Sequence, residues 1–407
     1  MTTFNNEKEI STQQALVNLI YTFTKLLFII SCVRFVIELS QKKKRIKSLF
    51  SIGFEYYILN LDGFMNLTNL LSIMLRFCFL NIYFIDYTTF DDNQFICSGS
   101  SDETIRVWNI NNNKKGQLLK GHFFAVYCVK FSPYHFHNNN RNVICSSSQD
   151  RTICFWDVKS KKQLKILYEH KDPINDIEFS PFSGGRYLCS ASSDKTIRLW
   201  DVETYKSLHV FNGHTGDIIC VDISSLQSNS NNKMNNIGVI SGNGYTICSG
   251  SCDQTIRIWD IETTEQLNVL KGHTHHVVDV KYGSNELGNT ILSGSRDESV
   301  RLWDIRSGEQ ILTFNGHTNL IITVEYSPLV VNNSEICNSS NVICSGSLDN
   351  TIRFWDVRSN KNELHIIKGD EEEDGISSFK FFSLQKNKKS GFNLCYGSVN
   401  GPIRIWG

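Results

Sequence analysis

Serine, histidine and aspartate, the residue types of a hydrolytic nucleophile with its base and orienting acid, recur along this chain at fixed distances. A serine is followed four residues later by aspartate, and six further on by tryptophan, in Ser98/Asp102/Trp108, Ser146/Asp150/Trp156, Ser190/Asp194/Trp200, Ser249/Asp253/Trp259, Ser293/Asp297/Trp303 and Ser345/Asp349/Trp355. Tyr396/Asn400/Trp406 is a degraded seventh copy, so each of the 7 tryptophans marks one copy. Fourteen residues after the first five tryptophans stand His122, His170, His214, His273 and His317, and after the sixth the pattern slips by one residue to Asp370. A catalytic constellation is needed once, and this one occurs five times intact. The sets therefore read as architecture, and no residue is assigned a catalytic role.

The elements that must position these groups are short strands. Thr196 to Trp200 and Val300 to Trp303 alternate aliphatic residues with Arg and Trp, so both faces of the strand carry packing groups. The distance from each histidine to the next serine runs 24, 20, 35, 20 and 28 residues, so one connection tolerates insertion while the rest is fixed geometry. The insertions His137 to Asn142, Gln227 to Asn236 and Asn332 to Asn341 are rich in Asn and Ser and read as solvated loops on one rim.

The strings Thr255 to Asp260 (TIRIWD), Gly272-His273 and Ser249 to Ser251 (SGS) resemble the tryptophan-aspartate repeat (WD-repeat) of β-propellers, and the resemblance covers residues 54 to 407. It implies an all-β fold, a seven-bladed β-propeller of four-stranded antiparallel blades. Residues 1 to 53 are expected to form a separate apolar, helical extension. In each blade the four marker residues can form one buried hydrogen-bonded tetrad, with every polar group partnered. The five tetrads expected intact are His122, Ser146, Asp150 and Trp156; His170, Ser190, Asp194 and Trp200; His214, Ser249, Asp253 and Trp259; His273, Ser293, Asp297 and Trp303; and His317, Ser345, Asp349 and Trp355. The terminal blades depart from the pattern, with Phe64 aligned to the histidine column in the first and Asp370, Tyr396 and Asn400 in the last. Tyr56 to Leu61, with Asp62-Gly63, resembles the outer strand Gln266 to Leu270 with its Lys271-Gly272 exit. It is expected to supply the missing outer strand of blade seven.

The family commonly binds peptides on the rim where the histidine loops meet the aspartate turns. The resemblance places contacts three and five residues after each histidine and one before each aspartate. That gives Ala125, Tyr127, Gln149, Pro173, Asn175, Ser193, Asp217, Ile219, Cys252, His276, Val278, Arg296, Leu320, Ile322 and Leu348. The acidic run Asp370 to Asp374, with Glu371, Glu372 and Glu373, reads as an orienting charge for a partner with apolar anchors and basic flanks.

Other classes are disfavoured. With 41 basic and 41 acidic residues, no general attraction to nucleic acid follows. Among the 13 cysteines, Cys97, Cys145, Cys189, Cys248, Cys344 and Cys395 share one repeat column, a blade apart, so a small-residue packing site is expected rather than disulfides, in a reducing, cytoplasmic compartment. The pairs His135/His137 and His275/His276 lack companions at metal spacing, and no metal or cofactor is expected. Ala15 to Ile37 is long and apolar enough to span a bilayer and precedes Lys42, Lys43, Lys44, Arg45 and Lys47, but Lys25 near its middle costs about 3 kcal/mol. A membrane tether, a packed or interfacial helix and a non-native N-terminus all remain open, as does a nuclear-import role for the basic run. The favoured function is a non-catalytic scaffold, monomeric within a larger complex, that binds other proteins or peptide segments. A membrane-tethered scaffold is the alternative. An enzyme sited in the central channel would require convergent, non-repeated acid, base or metal groups, and none is evident along the chain.

Overall fold

Alternating β-branched residues, as in Thr255–Asp260, favour a pleated strand that buries one row of side chains and half-buries the other. The computed structural model builds this strand in every repeat and describes residues 81–91, 93–110, 116–224, 245–284, 287–328, 341–358, 363–369, 373–383, 392–399 and 403–406. An inner strand, a second strand, the tryptophan-bearing third strand and an outer strand pair antiparallel in that order to form a blade. In blade four these are Ile218–Ile223, Thr246–Ser251, Thr255–Asp260 and Gln266–Lys271. Six sheets have four strands, and the seventh has three described strands, Ile376–Ser383, Phe392–Ser398 and Ile403–Trp406. The chain is a seven-bladed β-propeller, as its repeats imply.

No blade has a core of its own. Cys220, Cys248, Ile256, Ile258 and Leu270 of blade four pack with Val277, Val280, Ile291 and Trp303 of blade five in one cluster. The ring closes in the same way, with Ile82, Ile85 and Ile96 of blade one packed against Phe382 and Cys395 of blade seven. Burying one such aliphatic side chain is worth roughly 1.5–3 kcal/mol, and that gain exists only between neighbours. Second strands such as Val143–Ser148 and Thr246–Ser251 are buried along their whole length, which explains their small residues. A Cβ added at Gly250 would come 2.6 Å from Cys220 Sγ and 2.7 Å from Val277 Cγ1. The six column cysteines are free and fully buried in these strands.

Each inner strand carries one β-bulge at the same place, where the extra residue is Tyr83, Tyr127, Asn175, Ile219, Val278, Ile322 or Ser377. In blades two to six this residue stands five positions after the marker histidine. Counting back five from Tyr83 reaches Cys78 rather than Phe64. Phe64, Tyr56 to Leu61 and Ala15 to Ile37 themselves lie outside the described residues, and among the described residues no helix is long and apolar enough to cross a membrane.

The insertion expected as a loop from His137 to Asn142 begins inside a helix, Pro133–Asn139, with proline at its start and Asn140 closing it in the left-handed region at φ 46°. His135 is buried there, with Ser132 Oγ 2.8 Å from Nδ1 and Tyr205 Oη 3.1 Å from Nε2, so both ring nitrogens are engaged. Burial, assisted by the Arg141 charge, pushes its imidazole down to about 4. The insertion Gln227 to Asn236 and all but Asn341 of the third lie outside the described residues.

Candidate functional site

The tetrads form as the spacing implies. In blade four Trp259 Nε1–H donates to Ser249 Oγ (2.9 Å), the Ser249 hydroxyl lies 2.8 Å from His214 Nε2, and His214 Nδ1 lies 2.8 Å from Asp253 Oδ2. The network is satisfied when Nδ1 carries the imidazole proton. His122, His170, His273 and His317 make the same contacts with Ser146/Asp150, Ser190/Asp194, Ser293/Asp297 and Ser345/Asp349 at 2.7–2.8 Å. Trp156, Trp200, Trp303 and Trp355 donate to the corresponding serines. A fifth member, unanticipated although it stands two residues after each aspartate, is a hydroxyl that donates to the other carboxylate oxygen: Thr152, Thr196, Thr255, Ser299 and Thr351. Burial opposes ionisation, yet the histidine and hydroxyl bonds hold Asp194, Asp253, Asp297 and Asp349 far below the usual carboxylate range.

This is the connectivity of a hydrolytic triad with its nucleophile sealed. Each of the five serines is fully buried, and its oxygen already receives the indole N–H, so no substrate carbonyl can approach. In blade one the Ser98 hydroxyl has no partner among the described residues; Asp102 keeps the hydroxyl bond, from Thr104 Oγ1 (2.6 Å), while its other oxygen takes Arg106 (2.5 Å) where the intact blades have the histidine.

The residues free to vary are the bulge residues, because a bulge redirects its extra side chain away from the sheet faces. All seven line a cavity of about 360 Å³ at the channel mouth on the histidine side. It gathers Tyr127, Asn175, Ser193, Asp217, Ile219, Cys252, Val278, Arg296 and Ile322 from the expected rim, and adds Tyr83, Ser377 and the deeper carboxylates of Asp176 and Asp279. Tyr83 and Tyr127 meet edge to face at 5.3 Å between ring centres. Directly after His122, Phe123 and Phe124 are 79% and 39% exposed, an apolar pair missed because the residue after the histidine varies in type from blade to blade.

Among the described residues, the other expected rim positions do not line the cavity. Gln149 is exposed, with its backbone N–H bonded to the Ala125 carbonyl, and the carbonyl of Pro173 likewise accepts the N–H of Ser193. His276 is half-buried, with Nδ1 3.5 Å from Cys252 Sγ. Leu348 donates its N–H to the carbonyl of Leu320. Glu373 is buried and holds Arg404 by its carboxylate, which turns it away from a partner, while Glu371 and Glu372 lie outside the described residues.

The opposite mouth corrects the expectation that the channel lacks convergent ionisable groups. A cavity of about 690 Å³ is lined by Asp86, Lys130, Glu178, Asp222, Lys281, Glu325 and Lys380, each three residues after its bulge. Lys130 pairs with Glu178 at 2.6 Å and Lys380 with Glu325 at 2.7 Å. The inner strands are also latched to one another: Asp86 accepts the N–H of Phe131, Asp176 that of Val221, Asp222 that of Tyr282, Asp279 that of Val324, and Ser378 Oγ that of Ile85. These bonds satisfy inner-edge amides that no further strand can reach.

Comparison with known proteins agrees with this geometry. A 42-residue stretch is 43% identical to the WD repeat-containing protein WDS homolog of Arabidopsis thaliana, covering 10% of this chain and 8% of that protein. A 43-residue stretch is 51% identical to nuclear distribution protein nudF 1 of Talaromyces marneffei, covering 11% of this chain and 9% of that protein. Each match thus spans less than a tenth of the length of the curated relative. The family model of the WD domain, G-beta repeat, matches residues 82–109, 113–157, 161–201, 205–260, 264–304 and 308–356. With more than half of its length in matched repeats that the structure folds into blades, the chain belongs to the WD domain, G-beta repeat family.

Proposed function

We propose that this propeller is a non-catalytic scaffold that captures a segment of a partner protein at the collar of bulge residues. The observation that carries this reading is that the repeat holds the collar's backbone constant while its side chains differ among Tyr, Asn, Ile, Val and Ser. Tyr83, Tyr127, Ile219, Val278 and Ile322, with the exposed Phe123 and Phe124, supply apolar contact. Asp176, Asp217 and Asp279 outnumber Arg296 in the same lining, which suits apolar anchors flanked by basic residues. Propellers of this family generally bind other proteins, and a monomeric ring within a larger cytoplasmic complex accords with the balanced charge and free cysteines. The double substitution Ile219→Asp with Ile322→Asp in the full-length chain should cut partner recovery by roughly tenfold or more while leaving the melting temperature unchanged. Quantitative pulldown with proximity labelling measures it, and unaltered recovery would sink the reading.

A tethered version of the same scaffold is supported by Ala15 to Ile37 and the basic run that follows. Alkaline carbonate should then leave the full-length chain in the membrane pellet and release a chain lacking residues 1 to 53. Complete extraction of both would rule the tether out.

A further inference from the structure

Seven is an odd number, and a closed ring of seven charges cannot alternate in sign all the way round. In blade order the second-mouth ring reads Asp86, Lys130, Glu178, Asp222, Lys281, Glu325, Lys380. Opposite signs meet at six of the seven junctions. The like-signed contact forced by parity falls between blades three and four, at Glu178 and Asp222. Glu178 keeps its charge, because Lys130 lies 2.6 Å away and Lys281 reaches over blade four to within 3.9 Å of it. That reach takes the Lys281 ammonium to Glu178 and to Asp279, at 3.8 Å, and no ion pair joins it to Asp222 among the described residues.

We propose that the propeller carries a proton-binding site at this seam, centred on Asp222, and that loss of the proton as pH rises weakens the junction of the third, fourth and fifth blades. The titratable groups that line this mouth with Asp222 are Glu178 from the inner strand of blade three, Lys281 and Tyr282 from that of blade five, and Asp86, Lys130, Glu325, Tyr326 and Lys380 from the rest of the ring, while Asp176 and Asp279 line the cavity on the histidine side. Cys189 and Cys248 lie behind it in the second strands of blades three and four. Burial, reinforced by Glu178 and opposed by Lys281, pushes the Asp222 carboxyl up to about 7, and burial raises Asp176 to about 6. The folded chain therefore holds a proton that the unfolded chain, titrating near ~3.9, has already released. Stability from this site is present at acid pH and is lost as pH rises from about 4 to about 7. The buried His214 and His273, lowered by burial, act with opposite sign below about 6.5, so the test compares variants rather than reading one curve. Both imidazoles belong to tetrads that include none of this mouth's residues, so their contribution cancels between variants.

Asp222→Asn keeps an oxygen to accept the Tyr282 N–H while removing the titrating group. In the full-length chain its melting temperature should match the wild type near pH 4 and exceed it by several degrees near pH 8, a gap that opens across the window above. Parallel curves would overturn the proposal. Infrared difference spectra of the wild type provide a second readout that does not depend on the variant folding. A protonated-carboxyl band should disappear between pH 5 and 8, and its absence throughout that range would equally overturn it. Lys281→Met removes the nearest compensating charge and should move the loss of that band to higher pH, a shift that a merely structural lysine would not cause.

Discussion

At the scale of single residues, the tetrad serine is where the repeat is most sensitive. Removing the Ser249 hydroxyl leaves the Trp259 indole N–H and His214 Nε2 without their partner in a fully buried site. A buried polar group left unsatisfied costs about 1–3 kcal/mol, so Ser249→Ala should lower unfolding stability by that amount. Ser98 supplies the control, because its buried hydroxyl already has no partner among the described residues, so Ser98→Ala removes an unsatisfied group and should leave stability unchanged or raise it by up to about 1–3 kcal/mol. Urea unfolding of both variants tests the contrast, and equal losses would mean that the tetrad bonds contribute nothing beyond side-chain volume. The tetrad aspartates titrate below the ordinary range, so the stability they add is present above about pH 4 and is lost as pH falls through their folded values. These residues are legible in the sequence because four polar groups that must meet in one buried network cannot change spacing independently. The hydroxyl two residues after the aspartate escapes notice because Thr and Ser are also ordinary strand residues.

At the scale of the strand, two neighbours decide what a residue can be. The second strand has a blade on each side, and Gly250 sits against Cys220 and Val277, with no room for a Cβ. Gly250→Ala should therefore overpack the junction of blades four and five and cost about 1–3 kcal/mol, measurable as a lower denaturation midpoint. A neutral effect would show that the junction gives way readily. The same column holds Gly99, Gly294, Gly346 and Gly397, where an added Cβ would also come within 3.0 Å of a neighbour, and only the junctions at Ser147 of blade two and Ala191 of blade three admit a larger residue. The bulge is legible only in part. Five of its residues can be counted from the marker histidines, whereas Tyr83 and Ser377 stand in the terminal blades, where the marker is missing. The strand pairing supplies what the count lacks.

At the scale of the whole molecule, closure creates features that no single repeat contains. A charged residue stands eight positions after each of the five marker histidines, yet one charge per repeat has no local pattern that separates it from a solvated surface residue. Only when seven inner strands face a common axis do these charges become neighbours. The fold was legible from end-to-end repetition, and the site only where a repeat marker pointed to it, because spacing reports what is shared among blades and binding depends on what is not. The bulge collar has a consequence for how such a molecule can change. Its seven positions share one backbone frame, and none of them belongs to a tetrad. A substitution at one position can therefore alter a single letter of the surface a partner reads while leaving the other six, and the frame that presents them, as they were.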